Sequence, residues 1–67
     1  MKIFAQRLKK LRHDKSLSMK QLAKELNTSD AAISNWENGI NELKISYIVS
    51  IAKFFNVSTD YLLGLED

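Results

Sequence analysis

Asp30, Ala31, Ser34 and Asn35 stand at positions i, i+1, i+4 and i+5 of the stretch TSDAAISNWENG, which runs from Thr28 to Gly39. On a helix that spacing gathers them, with Asn38, on one side. The side offers short hydroxyl, amide and carboxylate groups and no long basic chain. Such groups suit reading another molecule's hydrogen-bonding edges better than breaking a bond. Catalytic chemistry has little else to use. Cysteine is absent, His13 is the single histidine, and no glycine-rich phosphate loop or Ser/His/Asp set is present. Glu66 and Asp67 are adjacent in a tail, which is poor metal-ligand geometry. No catalytic residue, metal site or cofactor is assigned, and the expected class is not an enzyme.

The stretch carries its own helix signals. Ser29 can cap the start, Asp30 sits in the first turn where the dipole favours an acid, and Gly39 stands where a glycine ends a helix. Advancing by about 100° per residue puts Ser29, Ala32, Ile33 and Trp36 together on the side that must be buried. Lys and Glu, better helix formers, would be the ordinary choice for a solvated outer face. Small neutral side chains instead let a helix backbone approach a partner closely. The major groove of DNA admits a helix and presents a donor and acceptor code that Asn and Ser can read. A protein-contact face is the alternative.

Positioning that helix falls to its neighbours. Phe4, Leu8 and Leu11 form one stripe of a first amphipathic helix. Ser18 with Gln21 makes a capping box that opens a short second helix, where Met19, Leu22, Ala23 and Leu26 hold the apolar positions and Asn27 permits a left-handed end. After the polar linker INELK, the segment ISYIVSIAKFFN is expected to bury Ile45, Ile48, Val49, Ala52 and Phe55. Tyr47, Ile51 and Phe54 widen that surface. Asn56 ends this helix, Ser58 caps a last short one, and Leu62 is its expected core residue. The result is a single all-α domain of five helices over residues 1–67. Proline is absent, and Gly39 and Gly64 are the only glycines. A chain of this size buries only about 60% of the surface its unfolded state exposes. No apolar run reaches the ~20 residues of a membrane span, and the basic N-terminus is interrupted too often for a signal peptide, so the expected location is cytoplasmic.

Charge is divided along the chain. Residues 1–25 hold eight Lys and Arg against two acids, a net of +6, whereas residues 26–67 hold two against six, a net of −4. A molecule with one side turned towards an anion would have this distribution.

Two helices joined by a tight turn, the second with a polar outer face, describe a helix-turn-helix. Leu17 to Gly39, LSMKQLAKELNTSDAAISNWENG, resembles the DNA-binding module of the phage repressor and Cro (XRE-type) family of bacterial regulators. Leu22 with Ala23, Ile33 with Trp36, the closing ENG and the later NVSTDYLL carry the match, which extends from about Leu8 to Leu63. The resemblance implies a five-helix, lambda-repressor-like fold with its motif at about 18–38 and a recognition helix at about 29–38. It implies that Ala23 is the small residue where the helices cross and that Arg12 pairs with Glu37. Asp30, Ala31, Ser34 and Asn35 would face base edges. Ser18, Met19, Lys20, Gln21, Ser29, Asn38, Asn41 and Lys44 would lie along the phosphate backbone. The sequence departs from the family at Met19, where many relatives carry glutamine. Asn27 and Thr28 depart in the turn, and Ile40 and Glu42 in a linker that is often basic.

Few positive charges against the backbone make one copy a weak binder, which a two-fold homodimer on a palindromic double-stranded operator would remedy. Ile40, Tyr61 and Leu65 are the candidate dimer contacts. The expected function is a transcriptional regulator of the repressor kind. The alternatives are a module whose main partner is a protein, such as an antirepressor or a toxin, and the amino-terminal domain of a longer regulator.

Overall fold

Residues 2–40 and 43–66 are described by a computed structural model and form five α-helices, with no strand among those residues. They are α1 (Lys2–Asp14), α2 (Met19–Glu25), α3 (Asp30–Glu37), α4 (Ile45–Phe55) and α5 (Thr59–Leu63). Helices this short are marginal in isolation, so their ends and their shared core must hold them.

The ends are closed by local hydrogen bonds. Ser18, Ser29 and Ser58 accept through Oγ from the backbone N–H of Gln21, Ala32 and Tyr61 at 3.0, 3.1 and 2.9 Å. Each such cap stabilises by about 1 kcal/mol. All five helices finish in one pattern. A residue with positive φ (Ser16, Asn27, Gly39, Asn56 or Gly64) reverses the chain. The next N–H then reaches back to the carbonyl five residues earlier, as in Thr28 to Ala23 at 2.9 Å and Ile40 to Asn35 at 3.1 Å. This Schellman closure satisfies carbonyls that would otherwise be left open, and it turns the chain within a few residues.

One core takes side chains from every helix. It is built from Phe4 and Leu8 of α1, Leu22 and Ala23 of α2 with Leu26 just past its end, Ile33 and Trp36 of α3, Ile48, Ile51, Ala52 and Phe55 of α4, and Leu62 of α5. The expected stripe of α4 needs correction at two positions. Ile45 is 78% exposed and Val49 37%, whereas Ile51 is fully buried. Ser46, Ser50 and Lys53 mark the solvent side, and Ile45 and Val49 flank them. The buried set is therefore Ile48, Ile51, Ala52 and Phe55, rotated from the expected stripe. A helix with eight apolar residues in eleven leaves that rotation ambiguous in the sequence. No helix among the described residues is long and apolar enough to cross a membrane.

Candidate nucleic-acid interface

Two large side chains fix the rotation of α3. Ile33 is fully buried and Trp36 nearly so, with the Trp36 ring 4.9 Å from that of Tyr47. With those residues inward, Asp30, Ala31 and Asn38 are exposed and Ser34 and Asn35 half-buried. Among the described residues, none of these five is fully buried. Their polar groups are short, and Asn38 Nδ2 donates only a long bond of 3.4 Å to Ser34 Oγ.

α2 packs against α3, and Ala23 of α2 is almost fully buried. A longer side chain there would force the two helices apart. The turn between them is set by Asn27 at φ 57°. At the start of α2 the capping box is complete: Ser18 N–H donates to Gln21 Oε1 at 2.8 Å, and Gln21 N–H donates to Ser18 Oγ. Both residues are thus engaged with each other, and the remaining first-turn N–H groups belong to Met19 and Lys20. Met19 is half-buried and packs its side chain against the core, so it offers backbone only. Lys20 is exposed.

Arg12 joins these pieces. Its guanidinium donates to both carboxylate oxygens of Glu37, at 2.6 and 3.0 Å, and to the Leu17 carbonyl at 2.8 Å. Nη2 also lies 3.1 Å from His13 Nε2. The hydrogen bonds to Glu37, with its nearby negative charge, raise the proton affinity of Arg12 above the ordinary guanidinium range despite the opposing effect of burial. One side chain therefore ties the end of α1 to the residue before Ser18 and to the last turn of α3.

A groove between α2 and the start of α3 is lined by Lys20, Lys24, Thr28, Ser29 and Asp30. Sequence reasoning passed over Lys24, although its i, i+4 spacing from Lys20 was legible. Lys20 and Lys24 share this groove with Asp30.

Lys44 is exposed just before α4, and Asn41 lies outside the described residues. Ile40 and Leu65 are 66% and 73% exposed. Tyr61 is half-buried, and the Arg7 guanidinium carbon sits 4.3 Å from its ring centroid. Arg7 also donates to the carbonyls of Tyr61 and Glu66. Tyr61 is therefore largely engaged within its own chain, which no spacing rule would have shown.

A profile of the helix-turn-helix family matches residues 8–62. The chain belongs to the helix-turn-helix family, of the XRE type. Among curated proteins, this helix-turn-helix chain is 41% identical over 64 residues to the HTH-type transcriptional activator BcrR of Enterococcus faecalis, covering 96% of the chain and 31% of BcrR. It is 32% identical to the uncharacterized HTH-type transcriptional regulator YobD of Bacillus subtilis (strain 168), covering 97% of the chain and 58% of YobD. The chain thus spans between about a third and three fifths of the length of these relatives. Among solved structures, the P22 c2 repressor in complex with a synthetic operator superposes with a TM-score of 0.85 at 26% identity, covering 92% of this chain and 94% of that one. The chain thus carries a helix-turn-helix DNA-binding domain.

Proposed function

We propose that the chain binds double-stranded DNA sequence-specifically, as a homodimer on a palindromic operator, and represses transcription there. The outer face of α3 carries this reading: with short side chains and no long basic group, it lets the helix backbone sit deep in a major groove. Asn35 pairs bidentately with adenine N6 and N7, Ala31 touches a thymine methyl, and Ser34 supplies an adjustable donor or acceptor. Asp30 accepts from cytosine N4. Phosphates are met by Ser18 to Gln21, by Ser29 and Asn38, and by Asn41 and Lys44 of the linker.

Dimerisation fits the dimensions. The Cα trace extends 28 × 23 × 19 Å. Two such bodies in contact, with their side chains, place equivalent points about 34 Å apart, one helical turn of DNA. Ile40 and Leu65 supply exposed apolar area for that contact, with Tyr61 at its edge. The sign of regulation follows from where the operator lies relative to a promoter. One relative is named an activator and one structural neighbour a repressor.

The exposed Ile40, Ile45 and Leu65 also favour a second reading, docking of a protein such as an antirepressor or toxin. Selection of bound duplexes from a random pool, followed by titration against salt, separates the two. Recovery of a palindrome whose affinity falls steeply with salt supports the operator reading. Equal retention of every duplex at every salt concentration overturns it.

A further inference from the structure

Operator binding as proposed leaves an electrostatic shortfall. Of the residues set against the phosphate backbone, Lys20 and Lys44 alone are cationic, and the INELK linker adds a glutamate. Yet the first 25 residues carry a net charge of +6, and part of it lies beside the recognition helix. A groove of about 490 Å³ runs between the first turns of α1 and the end of α3, with Lys2 and Gln6 on one wall and Glu37, Asn38 and Gly39 on the other. The Glu37 side chain is only 2% exposed and is bound to Arg12, so the wall it belongs to is effectively neutral. Among the described residues no carboxylate lies within ion-pair distance of Lys2.

Resting on the operator reading, we infer that Lys2 and Gln6 are further backbone contacts, and that this groove takes a phosphodiester of the operator strand touched by Asn38. Lys2 supplies a compact charge on a flexible stem, and Gln6 supplies amide N–H donors. The Arg12–Glu37 pair holds α1 against α3, so the position of Lys2 is set relative to the base-reading face. A cost accompanies the placement. The first turn of α1 has no acid, and a lysine there opposes the helix dipole by about 0.3–1 kcal/mol. Ser29 with Asp30 and Ser58 with Asp60 give α3 and α5 the opposite arrangement. A cation kept against the local preference of its helix fits a role in binding.

Fluorescence anisotropy of the full chain on its selected duplex, repeated across salt concentrations, tests this. Lys2→Ala is expected to weaken binding about three- to tenfold on matched and mismatched duplexes alike, and to reduce the log–log salt slope by about one per chain bound. Lys2→Arg restores the slope, and Lys53→Ala, on the solvent side of α4, leaves it unchanged. An unaltered slope in Lys2→Ala, with the wild type binding normally, overturns this inference and leaves the operator reading standing. Failure of the wild type to bind any duplex overturns both.

Discussion

Arg12 and Glu37 face each other as a fork on a fork, Nε to Oε2 at 2.6 Å and Nη2 to Oε1 at 3.0 Å, with side chains 9% and 2% exposed. Paired, each satisfies the other's charge; alone, either would be a buried ion. Arg12→Ala should therefore cost about 3–5 kcal/mol, the range for breaking a buried pair. That is comparable with the whole stability of a domain this small, roughly 3–5 kcal/mol from its core. Urea denaturation would show it, and Arg12→Met with Glu37→Leu together should recover much of the loss. Because the folded state raises the proton affinity of Arg12, the contribution is complete at neutral pH. For Arg12 it is lost as pH rises through its raised folded-state range. A midpoint shift of less than about 1 kcal/mol in Arg12→Ala would show that the pair does not anchor the fold.

Base reading and backbone contact make different demands on a variant. Asn35→Ala should relax preference at one base pair per half-site, a loss of about 1–3 kcal/mol in discrimination. Lys20→Ala should weaken every duplex about equally and flatten the salt dependence. Affinities on a panel of single-base operator variants measure both. Uniform weakening by Asn35→Ala would remove that residue from the base-reading set.

Ser16 closes α1 at φ 56° without being Gly or Asn. A left-handed residue with a Cβ is strained by about 1–2 kcal/mol, partly offset in glycine by its greater freedom in the unfolded chain. Ser16→Gly should stabilise the domain by about 0.5 kcal/mol, and Asn27→Gly by less, since Asn tolerates this conformation. Melting temperatures compare the two directly. A lower value for Ser16→Gly would mean that the serine side chain contributes more than its strain costs.

Leu65 and Ile40 are exposed enough that charging them should leave the monomer intact, within about 0.5 kcal/mol. On the proposed dimer, Ile40→Lys with Leu65→Lys should lose affinity for a palindrome while keeping that for an isolated half-site. Sedimentation and half-site titration read both effects. Unchanged binding to the palindrome would place the two-fold contact elsewhere.

Much of this protein is written locally. Serine caps, left-handed Asn and Gly residues and 3.6-residue apolar spacing mark the ends and faces of α2 and α3 because those features act over only a few residues. Ile33 and Trp36 define the inward side of α3, and so the outward side as well. The rotation of α4 was decided by packing, since Ile45, Val49 and Ile51 are chemically equivalent and only neighbouring helices distinguish them. Long-range partnerships were equally beyond spacing rules. The stacking of Arg7 on Tyr61 joins residues 54 positions apart, and the groove that sets Lys2 beside Asn38 exists only once α1 lies across the end of α3. Local hydrogen bonding and periodicity propagate along a chain, whereas contacts between distant segments depend on the volume and shape of every side chain packed between them.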